Sequence, residues 1–156
     1  MIIRHFTNKD SLPIARLIVK TFKKFNGQDF FDQTAVKKYV DTFDVSHNSE
    51  AQLKKIFQSS AIFYVAEDKG NIVGMIRGKK DKISNLFVDA HYQRKGIGRQ
   101  LVSRFEQAAQ EMGGDEIFVK STLYAAPFYE KMGYVKASSI INYLGLKVYL
   151  MKKKIV

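Results

Sequence analysis

The stretch from Ile83 to Leu101, ISNLFVDAHYQRKGIGRQL, constrains the fold more than any other part of the chain. Leu86, Phe87 and Val88 form an apolar run of strand type. Asp89 to Tyr92 is a short polar link. Gln93-Arg94-Lys95-Gly96-Ile97-Gly98 then leads directly into a helical pattern. A strand, a glycine-containing loop and a helix, in that order, present free backbone N–H groups to an anion. The first turn of a helix has unpaired donors, and its dipole favours negative charge there. Glycines let the backbone approach a ligand closely, and Arg94, Lys95 and Arg99 supply charge that suits phosphate. Two common phosphate motifs fail on detail. A P-loop needs Lys-Ser/Thr after its last glycine, whereas Arg99-Gln100 follows Gly98. A dinucleotide fingerprint needs a third small residue, and that place holds Leu101.

The rest of the chain supplies a setting for this unit. Its 156 residues suit one domain, 1–156, with a core of its own. No apolar run has the length of a membrane span, and the alternating, early-charged Met1 to Phe6 reads as a first strand, not as a signal peptide. Cysteine is absent, which removes disulfides, thiolate metal sites and a cysteine nucleophile, and fits a cytoplasmic setting. Twenty-six Lys and Arg against fifteen Asp and Glu give a formal net charge of +11. Such a chain attracts polyanions, of which nucleic acid is one.

In chain order, Ile2 to Phe6 is a strand. Asp10 or Ser11 caps a helix that carries Pro13 in its first turn, and Ile14, Leu17, Ile18, Phe22 and Phe25 form its stripe. Gly27 ends it. Thr34 to Phe43 and Glu50 to Phe57 are further helices. Residues 28 to 50 hold Asp29, Asp32, Asp41, Asp44 and Glu50 against Lys37 and Lys38. This is either a solvated helical face or an acidic wall that selects a cationic amine. Ala61 to Glu67, Ile72 to Gly78 and Ile83 to Val88 form a three-strand meander. The following helix buries Ile97, Leu101, Val102, Phe105, Ala108 and Met112, and Gly113-Gly114 stops it. Glu116 to Ser121 is a strand parallel to the one ending at Val88. Ala125 to Met132 is a short helix. Tyr134 to Ile140 and Leu146 to Met151 make a last hairpin, followed by a basic tail, Lys152 to Lys154.

The pattern Q-x-x-G-x-G at Gln93 to Gly98 resembles the acyl-CoA pyrophosphate loop of the GCN5-related N-acetyltransferases, the GNAT family. A second stretch, STLYAAPFYEKMGY from Ser121 to Tyr134, resembles that family's other hallmark. Ala125, Phe128, Tyr129, Lys131, Gly133 and Tyr134 match it, and Thr122 stands where Asn is common. The resemblance covers essentially the whole chain. It implies an α/β fold of α+β type: a central, twisted, mixed sheet of about seven strands flanked by helices, splayed between the fourth and fifth strands. It implies acetyl-CoA as acyl donor and an amine as partner, with no metal and no covalent enzyme intermediate.

By the same resemblance, Leu86, Phe87 and Val88 contact pantetheine, which lies in the splay like an added strand. The N–H groups of Gln93, Arg94, Lys95, Gly96, Ile97, Gly98 and Arg99 hold the pyrophosphate. Thr122, Phe128 and Lys131 lie along the cofactor, and an amide N–H near Val88 polarises the thioester carbonyl. Tyr129 is the general acid for the leaving thiolate, since a phenol near pKa ~10 is protonated at neutral pH. Spacing alone favours Tyr129 as a core aromatic, and Tyr124 and Tyr92 are its rivals. No base is assigned. Glu67, Asp81 and Asp89 are near in sequence, and His5, His47 and His91 sit in no motif. The expected activity is acetylation of a primary amine, with a small cationic acceptor. Alternatives are a protein N-terminal or lysine acetyltransferase and a CoA-binding regulator without turnover. A nucleic-acid module fits poorly, because the aromatics occupy apolar periodic positions. The last hairpin could exchange a strand in a homodimer.

Overall fold

A computed structural model describes residues 1–26 and 30–156. Gly27, expected as a helix stop, and Asp29 of the acidic stretch lie outside the described residues. The strands are β1 (Ile2–His5), β2 (Ile62–Asp68), β3 (Asn71–Lys79), β4 (Lys82–Val88), β5 (Glu116–Thr122), β6 (Val135–Lys136), β7 (Ile141–Tyr143) and β8 (Leu146–Lys154). The helices are α1 (Ser11–Phe25), α2 (Gln33–Phe43), α3 (Glu50–Gln58), α4 (Ile97–Glu111) and α5 (Ala126–Lys131). They form one mixed sheet of eight strands in the order β1-β2-β3-β4-β5-β8-β6, with β7 also on β8. All described pairings are antiparallel except β4 with β5.

Each face of the sheet has its own core. On one side Ile97, Leu101, Val102, Phe105 and Ala109 of α4 pack on Tyr64, Ile76 and Ile117, with Tyr129 and Tyr134 at the margin toward α5. On the other, Ile14, Leu17 and Ile18 of α1 and Leu53 and Phe57 of α3 cover Phe63, Val65 and Met75. Residues of β2 from Ile62 to Ala66 are therefore buried on both faces, as a central strand requires. Gly74 lets α4 seat closely: a Cβ there would stand 3.2 Å from Leu101 Cδ1.

Four expectations need correction. Asp10 precedes α1 but does not cap it with its side chain. Its carboxylate accepts two 2.9 Å bonds from Arg4 and one of 2.8 Å from the Thr7 N–H, tying β1 to the helix entry. Met112 is 48% exposed, because α4 ends at Glu111 and Ala109 takes the buried position instead. The expected strand from Tyr134 to Ile140 is broken. β6 and β7 lie along the same partner, β8, and the residues between them bulge out, with Ser138 Oγ accepting the Leu150 N–H at 3.0 Å. Lys152 to Lys154 are not a tail but the end of β8, paired with Glu116 to Phe118. Lys153 Nζ reaches both carboxylate oxygens of Glu106 at 3.0 Å.

Candidate functional site

β4 and β5 pair only at Lys82–Phe118 and Ile83–Val119. Beyond these positions no pairing joins them, although β4 continues to Val88 and β5 to Thr122. The two strands part, and each leaves backbone donors and acceptors along its inner edge. On its outer edge β4 stays fixed, with Leu86, Phe87 and Val88 opposite Ile76, Met75 and Gly74 of β3. The expected splay is thus present, with those three residues on its wall.

The loop after β4 is built to turn sharply. Asp89 accepts the His91 N–H at 2.9 Å and starts a single 3-10 turn over Ala90–Tyr92. Lys20 of α1 donates to the same carboxylate at 2.9 Å. Burial pushes the Asp89 pKa up, but these two bonds outweigh it and hold the group below the usual carboxylate range. Tyr92 donates to Asp68 at 3.0 Å, and Lys95 Nζ lies 5.4 Å from the Tyr92 ring. Arg94 and Gly96 both take positive φ, 61° and 84°. Gly96 is the N-cap of α4 and offers no side-chain acceptor to the first turn, so the N–H groups of Ile97, Gly98 and Arg99 have no intrahelical partner. A Cβ on Gly96 would meet nothing within 4 Å, whereas one on Gly98 would stand 3.2 Å from the Phe128 ring. The first glycine serves the backbone turn and the second the close approach of α4 to α5. Arg94, Lys95 and Arg99 are exposed, and Ile97 is buried beneath them.

Gln93 links the two sides of the splay. Its Nε2 donates to the Val88 carbonyl at 3.0 Å, and its Oε1 accepts the Tyr124 hydroxyl at 2.8 Å. Tyr124 in turn stacks on Phe25 at the end of α1, with ring centroids 4.7 Å apart. The Thr122 hydroxyl accepts the Ala125 N–H at 3.2 Å and shapes the turn into α5. Phe128 is half-buried against Gly98, while Lys131 is exposed on the outer side of α5.

Tyr129 is only 3% exposed and joins the α4-side core. Its ring meets Phe128 and Tyr134 edge-on, at 5.3 and 5.4 Å. Burial pushes its pKa well above that of a free phenol. Its hydroxyl has no hydrogen-bond partner among the described residues, in contrast to Tyr134, which donates to Glu106 at 3.0 Å. Three of the other titratable groups raised from the sequence are engaged elsewhere. Glu67 bonds Arg4, the His5 ring lies 4.7 Å from that of Tyr64, and His47 lies 3.4 Å from Asp41. Of the acidic stretch, Asp32 caps α2 through Thr34, Asp44 bonds Ser46, and Asp41 and Glu50 pair with Lys37 and Lys54. These contacts are those of a solvated helical face. Among the described residues no group of three or more His, Asp or Glu could hold a metal, and no helix is long and apolar enough to cross a membrane.

One cluster was not legible in the sequence. Asn85 of β4 accepts from Arg77 Nε at 2.7 Å and donates to the Tyr39 hydroxyl at 3.1 Å. The Arg77 guanidinium lies beside the rings of Phe57 and Phe43, 5.5 and 5.9 Å from their centroids, and donates to Ser60 at 3.1 Å. Its residues come from β3, β4, α2 and the α3–β2 link, and no local motif marks them.

The family model for the acetyltransferase (GNAT) domain matches residues 27–155. This chain belongs to the GNAT acetyltransferase family. Human N-acetyltransferase 8 is 29% identical to it over 112 residues, which cover 64% of this chain and 49% of that protein. The chain spans about half the length of the first curated relatives it matches. A GCN5-related N-acetyltransferase from Rhodopseudomonas palustris shares the fold with a TM-score of 0.81 at 22% identity, over 98% of this chain and 94% of that one. The PaiA N-acetyltransferase of Thermoplasma acidophilum, solved in complex with coenzyme A, follows with 0.73 at 18% identity, over 98% of each chain.

Proposed function

We propose that this GNAT protein moves the acetyl group of acetyl-CoA to a primary amine by direct attack. The observation that carries the reading is the end of β4–β5 pairing at Ile83 and Val119, beside a glycine loop that runs into the N-terminus of α4. Unpaired strand edges satisfy the amides of an extended chain such as pantetheine, in the manner of strand addition. Leu86, Phe87 and Val88 lie on one such edge. The N–H groups from Gln93 to Arg99, with the charges of Arg94, Lys95 and Arg99, suit a pyrophosphate. Thr122, Phe128 and the exposed Lys131 are assigned to the cofactor's arm or nucleotide end. The coenzyme A bound by the PaiA relative fits this assignment.

In the reaction the amine nitrogen forms a bond to the carbonyl carbon, and the carbon–sulfur bond breaks. The departing thiolate takes a proton, and the amine loses one to water. Tyr129 is the proton donor: burial keeps its phenol protonated at neutral pH, and its hydroxyl is not committed to another described residue. A hydroxyl with no structural bond is what a donor to a transient partner needs.

The test is thiol release from acetyl-CoA over a panel of primary amines, read with a thiol reagent. The chain has no cysteine and so adds no background. Release with an amine class supports the reading. Stabilisation by CoA without release from any amine or protein substrate replaces it with a CoA-binding regulator, and neither effect refutes it.

A further inference from the structure

The face of the splay opposite α4 carries the cations of Lys120 and Arg77, while the Asp89 carboxylate at the end of β4 is held by Lys20 of α1. Lys120 is the first residue of β5 beyond the last β4–β5 pair, so it stands where the strands begin to part. Ile117, Val119 and Ser121 are buried toward α4, and alternation along the strand sends Lys120 to the opposite face. There Lys120 is half-buried, with Nζ 3.9 Å from the centroid of the Tyr143 ring on β7. Its ammonium has no carboxylate partner among the described residues.

The same wall continues through Tyr39 and Asn85. Tyr39 accepts from Asn85, and both Arg77 and Tyr143 lie in its neighbourhood. Among the described residues Arg77 also has no carboxylate partner: its bonds go to Asn85, Ser60 and the Ile56 carbonyl. Asp32, Asp44, Asp41 and Glu50 are spent on helix caps, a turn and pairs along α2 and α3. A half-buried ammonium over an aromatic ring has given up part of its hydration for a modest attraction. In such a site an anion gains more than it would in water, and a second cation is repelled.

We propose that Lys120 determines acceptor specificity, and that the acceptor is a primary amine that also carries a carboxylate, as an α-amino acid does. The inference rests on the acetyltransferase reading above. The carboxylate pairs with the Lys120 ammonium. Amine and carboxylate share one carbon in an α-amino acid, so this pairing leaves the amine beside the unpaired edges of β4 and β5. The charge of Lys120 also disfavours an ammonium next to it, and so favours the neutral amine that must attack.

The experiment compares matched acceptors in the thiol-release assay: L-phenylalanine with 2-phenylethylamine, L-leucine with 3-methylbutylamine, and L-lysine with cadaverine. The expected result is at least a tenfold higher kcat/KM for the carboxylate member of one or more pairs. In Lys120→Gln that ratio falls to about one through a rise in KM, and Lys120→Arg restores it. A wild-type preference for the decarboxylated member in every pair overturns the proposal, as does a ratio that Lys120→Gln leaves unchanged. If no pair supports release, calorimetry in the presence of CoA decides. Binding of an amino acid that Lys120→Gln abolishes supports the proposal, and CoA binding without binding of any amino acid overturns it. Failure to bind CoA itself overturns the acetyltransferase reading, and this inference with it.

Discussion

Tyr129→Phe separates the chemistry of the site from its packing. The substitution keeps the ring and its edge-on contacts with Phe128 and Tyr134. It removes a hydroxyl that bonds no described residue. Deleting a polar group without a partner changes stability by about 1 kcal/mol or less. In a chain of this size that is a shift of roughly 2–4 °C in Tm, at most, and upward if anything. A positioned general acid, in contrast, contributes about 10²–10⁴ in rate. The expected outcome is therefore a loss of at least about a hundredfold in kcat, or ~2.7 kcal/mol in the barrier, with an unchanged or slightly raised Tm. Because burial raises the Tyr129 pKa, the phenol stays protonated past its ordinary value near ~10. An alkaline fall in wild-type rate below that pH would then have another source. The assays are steady-state thiol release and thermal melting on the same samples. Full activity in Tyr129→Phe refutes the acid assignment. A fall in Tm of more than about 5 °C refutes the premise that the hydroxyl has no structural role.

Four further perturbations follow from the same structure. Gly96→Ala meets no steric obstacle but must hold φ at 84°, which costs an L-residue about 1–2 kcal/mol; the Kd for CoA, by calorimetry, should rise roughly 5–30-fold. Gly70→Ala, equally open at φ 82° in the β2–β3 turn, should lose stability without changing CoA affinity. Leu101→Ala deletes a fully buried side chain between α4 and the sheet and should cost about 3 kcal/mol, seen as a shift in denaturation midpoint. Asp10→Asn leaves Arg4 without its two-bonded partner and should cost about 2 kcal/mol at pH 7, less than a fully buried pair because Arg4 is partly exposed. Burial raises the Asp10 pKa, but Arg4 and the Thr7 N–H outweigh it, so the folded value lies below the ordinary one. The stabilisation is present above that ordinary value near ~3.9 and is lost as pH falls through the folded pKa. Wild type should therefore lose stability more steeply than Asp10→Asn in acid.

What could be read from the sequence was local and periodic. The stripe of Ile14, Leu17, Ile18 and Phe22 required a helix with one buried face, and α1 has it. Gly96 and Gly98 were read as letting the backbone approach a ligand; in the structure Gly96 takes the positive-φ turn, and Gly98 makes room for Phe128 of α5. The meander and the parallel return to β5 followed from turn chemistry and from the helix between the strands. Boundaries that depend on a partner were not legible. Ala109 and Met112 differ only in which lies under the sheet, and the broken run from β6 to β7 follows from pairing with β8.

The contrast is sharper at the site. By itself the sequence determined the glycine loop with its cations and the second motif around Tyr129, because each is a pattern within one short segment, and the two motifs in order carried the resemblance from which the fold class followed. Tertiary structure alone decided where β4 and β5 part, that the Tyr129 hydroxyl bonds no described residue, and that the described acids of α2 and α3 are spent on caps and pairs. It alone brought Lys120, Tyr143, Tyr39 and Asn85 to one wall. Charge and burial act through space, and these residues come from β5, β7, α2 and β4, so no spacing along the chain encodes their meeting.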